Sequence, residues 1–386
     1  MKIVIDENIA FGKKAFSQFG DVVLVNGRKI TNDILKDADI LIVRSVTKVD
    51  KDLLKGTKVR FVGTATIGTD HIDKDYLSQK EIAFTDAAGC NSYAVTEYVF
   101  TAIWRVYSQN NITLKNKSIG IIGVGNIGSK VKKISEVLGL KTILNDPPLQ
   151  RKTGDKKYTD LQSALSADVI TLHVPLNESG VDKTFHLLNE KNISLIKKGS
   201  MLINTSRGAV VDNIALLKRL KKQNDIFTVF DVWENEPAIN YELLNLVTIA
   251  TPHIAGYSYE GKVNGTVMIY EKLCEFLNEK PKWEPPYSPI YNNVIDLDKQ
   301  NLSQQIDDSQ LFSALKVIFE HAYNIENDSS KLKASLNLPL EERAKYFDLL
   351  RKEYPLRREL NNYFVKCNQI PEKLKNIITE LRLKIV

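Results

Sequence analysis

The sequence predicts an α/β protein with two parallel-sheet domains in tandem and a small helix-rich C-terminal domain. Three observations carry that reading. Short apolar runs alternate with helix-length amphipathic stretches through two successive rounds, as parallel sheets require. A glycine-spaced turn, "GVGNIG", opens the second round. After a stretch rich in proline and aromatic residues, "KPKWEPPYSPIYNN", the alternation stops and long amphipathic helices take over. A chain of 386 residues also exceeds what one core usually serves, so more than one domain is expected.

In order along the chain, the first round supplies strands at "KIVID", "VVLV", "ILIVR", "VRFVGTA" and "IAF". Then "NSYAVTEYVFTAIWRVY" repeats its apolar residues at helical spacing, with Asn91 or Ser92 available as cap, and leads into the second round. There "SIGIIG", "KTILND", "DVITLHV", "SMLINT", "IFTVFD" and "VTIATPH" read as strands. Between them "NIGSKVKKISEVL" and "NIALLKRLKK" read as helices. "YSYEGKVNGTVMIYEKLCEFLNE" is a long helix expected to return to the first domain. In the tail, "DSQLFSALKVIFEHAY" and "LPLEERAKYFDLLRKEY" are amphipathic helices, the second with Pro339 near its start.

Composition narrows the function classes. The net charge of +6 comes without a dense Lys/Arg block, so no nucleic-acid face is expected. Cys90, Cys274 and Cys367 are widely spaced and form no CxxC, which suits a reducing compartment and excludes a cysteine-rich zinc site; no metal is expected. The start "MKIVIDENIA" lacks the apolar core of a signal peptide, and no apolar run is long enough to span a membrane. The expected location is the cytoplasm.

The glycine turn has a mechanism. Gly123-x-Gly125-x-x-Gly128 follows a strand and opens a helix. The first glycine makes the turn, the second lets backbone approach a pyrophosphate, and the third lets the helix pack on the strand. N–H groups at the helix start then face the anion. Asp146 ends the next strand, eighteen residues after Gly128, where a carboxylate can accept from ribose hydroxyls and repel a 2′-phosphate. This favours NAD over NADP, with a helix cap as the plainer role for Asp146. Both rounds thus fit Rossmann-like or flavodoxin-like domains with a cleft between them.

A dehydrogenase also needs a proton acceptor and a grip on its substrate. Ligands of parallel sheets gather beyond the C-terminal ends of the strands. Arg44, Ser45, Thr66, Ser206, Arg207, Asp231 and His253 all fall at such ends. Arg207 can grip a carboxylate with its planar fork and polarise a forming carbonyl. His253 offers an imidazole, the side-chain type suited to taking and giving a proton near neutral pH. Glu236, in "WENEP", can bond the imidazole, fix its tautomer and favour its charged form. Taken singly, each has a plainer reading: a surface arginine, an exposed turn carboxylate, a satisfied core histidine.

Together these stretches resemble the D-isomer-specific 2-hydroxyacid dehydrogenases. The resemblance runs through "LIVRSVTKV", "FVGTATIGTDHID", "GCNSYAVTEYV", "GVGNIGSKV", "NDPP", "NTSRGAVVDN", "DVWENEP" and "TPHIAGYSYEGK". It implies that Arg207 and Glu236 are active-site residues and that His253 is the proton donor and acceptor. Ser45, Thr66 and Tyr257 become substrate contacts. Asn126, Ile127, Asp146, the turn Thr205, Ser206 and Arg207, then Asp231 and Gly256 become cofactor contacts. Val174 stands where the family branch usually has threonine, so a hydroxyl contact to the cofactor is lost and a backbone contact is kept. "GTATIGTDHID", "GCNS", "DPP" and "GYSYEGK" point to a branch that oxidises a phosphorylated sugar acid at carbon 2.

The implied domains are 1–92 for substrate, 93–256 for NAD, 257–285 as return helix and linker, and 286–386 for pairing two chains. Arg44 and the "ATIGTD" turn are candidates for the phosphate. Tail residues Arg343, Arg351, Arg357 and Arg358 are further sources of charge, including from a partner chain. The rivals are a dehydrogenase of the 3-phosphoglycerate or glycerate type and an NAD-sensing interaction protein.

Overall fold

The computed structural model describes residues 1–286, 288–300 and 302–386. Tyr287, in the predicted linker, lies outside the described residues. Two compact units result: Met1–Asn91 with Ser258–Pro289, and Ser92–Tyr257 with Ile290–Val386.

In the first unit, strands β1 (Lys2–Asp6), β2 (Asp21–Val25), β3 (Ile40–Val43), β4 (Phe61–Thr64) and β5 (Ala83–Asp86) form one parallel sheet in the order β2-β1-β3-β4-β5. Register is fixed by pairs such as Ile3 with Ile40 and Phe61 with Ala83. All four residues of β3, "ILIV", are buried, as a strand covered on both faces should be. The helix Tyr259–Leu277 packs here, with Ile269 and Leu273 joining Ile3, Phe16, Ile42 and Phe61 in one core.

The second unit holds a six-stranded parallel sheet of β6 (Ser118–Ile122), β7 (Lys141–Asn145), β8 (Val169–Leu172), β9 (Met201–Asn204), β10 (Phe227–Phe230) and β11 (Ile249–Ala250). Their order is β11-β10-β9-β8-β6-β7. A lone parallel bridge from Leu144 to Tyr158 continues the sheet past β7. The chain therefore steps outward from β6 and then reverses to β8. That reversal is the topological switch point at which such sheets bind ligands.

The helix Ser92–Gln109 begins this unit, and thirteen of its residues are buried. Trp104 stacks on Phe312 and lies against Phe319, both from the tail helix Asp308–Ala322. A capping box between Asp307 and Gln310 starts that tail helix. The tail is thus built into the core of the second unit.

It also contains what its helical grammar did not announce, a three-stranded parallel sheet. Its strands β12 (Val294–Asp296), β13 (Phe364–Lys366) and β14 (Lys384–Ile385) lie in the order β12-β13-β14. Runs of two or three residues are too short to display an alternating period.

Candidate active site

Because every strand of the six-stranded sheet is parallel, the residues that follow each strand share one edge. Gly123 follows β6, Asp146 follows β7 and Val174 comes shortly after β8. Thr205, Ser206 and Arg207 follow β9, Asp231 follows β10, and His253 comes three residues after β11.

The glycine turn has the shape that a dinucleotide needs. Gly123 has φ of 88°, and a Cβ there would stand 2.6 Å from the carbonyl oxygen of His173. At Gly128 a Cβ would meet the carbonyl oxygen of Gly123 at 2.0 Å, so the helix Gly128–Val137 can start this close to β6 only with glycine there. At Gly125 a Cβ would meet nothing within 4 Å, so this backbone faces open space. Asn126 is exposed beside it and Ile127 is half-buried.

Asp146 does two things at once. Its Oδ1 accepts from Leu149 N at 2.9 Å, capping the helix Pro147–Thr153, and its Oδ2 accepts from Val124 N at 2.8 Å. A carboxylate offers about four lone-pair positions, so acceptor capacity remains for ribose hydroxyls. Cap and ribose acceptor are compatible. The glycine turn, its open second glycine and this carboxylate fit a dinucleotide.

His253 sits in the left-handed region, with φ of 58°. Outside glycine that conformation is uncommon and needs support. Asp231 supplies it. Its backbone carbonyl accepts from His253 N at 2.7 Å. Its buried carboxylate accepts from Ile254 N at 2.7 Å, Ala255 N at 2.9 Å and Thr251 Oγ1 at 2.6 Å. Since the Thr251 hydroxyl donates to Asp231, it accepts from Tyr98 Oη, 2.6 Å away. The side chain of Asp231 thus serves the His253 loop, a use its position at a strand end did not reveal.

Glu236 meets the imidazole. Its Oε2 lies 2.7 Å from His253 Nδ1, and its Oε1 accepts from Trp233 N at 2.7 Å. Burial pushes the Glu236 carboxyl up. His253, the Trp233 N–H and the Arg351 guanidinium outweigh it and hold the group below the ordinary glutamate value. An ionised carboxylate only accepts, so Nδ1 carries the proton and the Nε2 of a neutral ring is the free base. The His253 side chain is 36% exposed and that of Glu236 18%, so the base can meet a ligand while its partner stays shielded.

Arg207 is half-buried, and its Nη1 donates to Ser206 O at 2.8 Å. Asn204 shapes the turn: its Oδ1 accepts from Ser206 N and Oγ, and its Nδ2 donates to Arg207 O. Thr205 Oγ1 is 3.5 Å from His173 Nδ1. Gly256 and Tyr257 continue the His253 loop, and the Tyr257 hydroxyl accepts from Arg351 Nη2 at 3.1 Å. Arg357, also from the tail, donates to the carbonyl of Ala255 in the same loop. Asp231, Asn204, Tyr98, Arg351 and Arg357 were not singled out as parts of this loop and turn. Only pairing across long sequence separations reveals them.

The first unit holds the other candidates. Arg44 and Ser45 follow β3; Arg44 Nε donates to the buried Asp6 at 3.4 Å, and Ser45 is exposed. Thr66 Oγ1 lies 2.8 Å from Thr64 Oγ1 and donates to Gly68 O at 3.0 Å, which holds the "ATIGTD" turn.

Comparison with known proteins gives the family. Residues 91–255 match the family model "D-isomer specific 2-hydroxyacid dehydrogenase, NAD binding domain", and residues 293–381 match a domain of unknown function. The chain belongs to the D-isomer-specific 2-hydroxyacid dehydrogenases: it is an NAD-dependent oxidoreductase acting on CH–OH groups.

Curated relatives narrow the likeness. The erythronate-4-phosphate dehydrogenase of Proteus mirabilis (strain HI4320) is 42% identical over 369 residues, 95% of each chain. That of Cronobacter sakazakii (strain ATCC BAA-894) is 42% identical over 375 residues, covering 95% of this chain and 94% of its own. Among solved structures, D-lactate dehydrogenase from Aquifex aeolicus complexed with NAD and lactic acid matches with a TM-score of 0.60 at 26% identity, covering 72% of this chain and 96% of that one. NAD+-bound 3-phosphoglycerate dehydrogenase of Entamoeba histolytica matches with a TM-score of 0.61 at 25% identity, covering 74% and 99%.

Proposed function

We propose that this chain oxidises 4-phospho-D-erythronate at carbon 2, giving 2-oxo-3-hydroxy-4-phosphobutanoate and NADH, as a step in pyridoxine 5′-phosphate synthesis. The relatives support the substrate over a 3-phosphoglycerate or glycerate type. One observation carries the chemistry: Glu236 lies 2.7 Å from His253 Nδ1, which leaves Nε2 as a base. A protein that only senses NAD has no need of that arrangement.

In this reading Nε2 of His253 takes the hydroxyl proton, and the ionised Glu236 steadies the imidazolium that results. Arg207 holds the substrate carboxylate and polarises the forming carbonyl. The glycine turn, Asn126, Ile127, Asp146, Val174, Thr205, Ser206, Asp231 and Gly256 hold NAD, and Ser45, Thr66 and Tyr257 contact the substrate. NAD supplies the hydride acceptor. The test is NADH absorbance on adding 4-phospho-D-erythronate together with excess NAD. Absence of turnover under those conditions, with D-glycerate or 3-phosphoglycerate oxidised instead, would overturn the substrate.

The tail is proposed to pair two chains. Leu340 and Leu356 there are 68% and 65% exposed, large apolar groups that an interface would cover. Light scattering on the purified chain checks this, a monomer being the adverse result. A cytoplasmic location is proposed from the three free cysteines; among the described residues, no helix is long and apolar enough to cross a membrane.

A further inference from the structure

We infer that Arg351, on the tail helix Leu340–Lys352, receives the phosphate of the substrate, so that the C-terminal region completes the active site within its own chain. The inference rests on the function proposed above. It starts from the unspent capacity of this guanidinium. Nη2 donates to the Tyr257 hydroxyl at 3.1 Å, and the group lies over the same ring at 5.8 Å. Nε is enclosed without any acceptor. Among the described residues no carboxylate comes within 4.0 Å to form an ion pair. The Glu236 and Asp348 carboxylates act on its charge without pairing with it, so a shielded cation of this kind still gains from an arriving anion.

The other candidate cations have partners of their own. Arg44 is paired with Asp6. Arg343 donates to the carbonyls of Leu338 and Leu336, Arg357 donates to Ala255 O over the Tyr323 ring, and Arg358 reaches Asn362. Arg357 also keeps a buried Nη1 without a partner but is turned to the Ala255 carbonyl, whereas Arg351 bonds the hydroxyl of Tyr257, a proposed substrate contact, and keeps its Nε unspent. Its charge also helps to hold the Glu236 carboxyl below its ordinary value. A substrate whose carboxylate is held by Arg207 needs a second receptor for its far end. A planar fork of donors suits phosphate.

The experiment compares kcat/KM for 4-phospho-D-erythronate and D-erythronate in the wild-type chain, Arg351→Met and Arg351→Lys. NAD affinity serves as the folding control. The wild type should prefer the phosphorylated acid. Arg351→Met should lower kcat/KM for that acid, chiefly through KM, about 10- to 100-fold more than it lowers kcat/KM for D-erythronate, where only the contacts of Arg351 with Tyr257 and Glu236 are lost.

Arg351→Lys should lose less, again more with the phosphorylated acid than with D-erythronate; it carries the test alone should the Met variant fail to bind NAD. Equal losses on both substrates would mean that Arg351 acts through Tyr257 and Glu236, and would overturn the assignment. Unchanged kinetics on both would overturn it too. A wild type that turns over neither acid, or shows no preference for the phosphate, defeats the proposed function itself. A preference that survives both substitutions defeats only the role of Arg351.

Discussion

The two halves of the candidate site are built on different principles. The glycine turn is a backbone device: three glycines within six residues set the turn, the opening and the helix contact. The His253 loop is a side-chain device. A left-handed histidine is held by Asp231 from twenty-two residues earlier, by Tyr98 through Thr251, and by Arg351 and Arg357 from the tail. A backbone device is written in local spacing and tolerates little change within it. A side-chain device spreads its dependence over the whole unit, so distant substitutions should reach it.

The comparison is broken most directly at His253. His253→Ala should lower kcat roughly a hundred- to ten-thousand-fold while NAD affinity, set chiefly by the glycine turn and Asp146, changes little. Equal loss of NAD binding, read by fluorescence titration, would mean that the two halves do not act separately. Asp231→Ala comes next. It strands two buried N–H groups and one hydroxyl, each costing about 1–3 kcal/mol, so the stability loss by denaturant titration should be about 3 kcal/mol or more. Activity should fall with it. A loss below about 1 kcal/mol would mean that solvent or another acceptor replaces the carboxylate.

Gly128→Ala tests the other half. Its Cβ would stand 2.0 Å from the carbonyl of Gly123, a backbone atom that cannot rotate away. A cost of about 1–3 kcal/mol is expected, together with weaker NAD binding, as the helix start moves off the strand. Gly125→Ala, which meets no protein atom within 4 Å, should keep the stability and lose only the cofactor affinity. Identical behaviour of the two variants would remove the distinction between a packing glycine and an access glycine.

The same division explains what could be read in the sequence. The eleven strands of the two larger sheets were legible because each is a short apolar run between turn signals, as "ILIV" and "MLIN" show. The glycine turn and Asp146 were legible by spacing. His253 and Arg207 stood out as residue types at strand ends, Glu236 as a carboxylate able to meet the imidazole, and all three through the family likeness. The support of the His253 loop was not: nothing near Tyr98 or Arg357 marks a partner 153 or 102 residues away. The β12–β14 sheet escaped for a different reason, because two- and three-residue strands carry no period. Arg351 stood with Arg343, Arg357 and Arg358 as tail arginines that composition could not tell apart.

The smallest expected effect concerns a third side-chain joint, where the helix Ser92–Gln109 meets the tail. Glu97 accepts from Leu360 N at 3.0 Å and lies 3.4 Å from Arg382, which pairs with Glu359 at 2.6 Å. Burial, followed by the neighbouring Glu359 charge, pushes Glu97 up to about 8 from the ordinary 4.5, against the pull of Arg382, the Leu360 N–H and Arg357. Between those values the folded chain keeps a proton that the unfolded chain has released. More protons bound in the folded state means that stability falls as pH rises through this window and levels off above it. Glu97→Gln keeps the acceptor oxygen and removes the titration. Its Tm relative to wild type should therefore climb from pH 5 to pH 8, by a few degrees at most if the joint contributes about 1 kcal/mol. Parallel Tm curves for the two chains across that range would show that Glu97 is ionised in the fold, with Arg382 shared between two carboxylates.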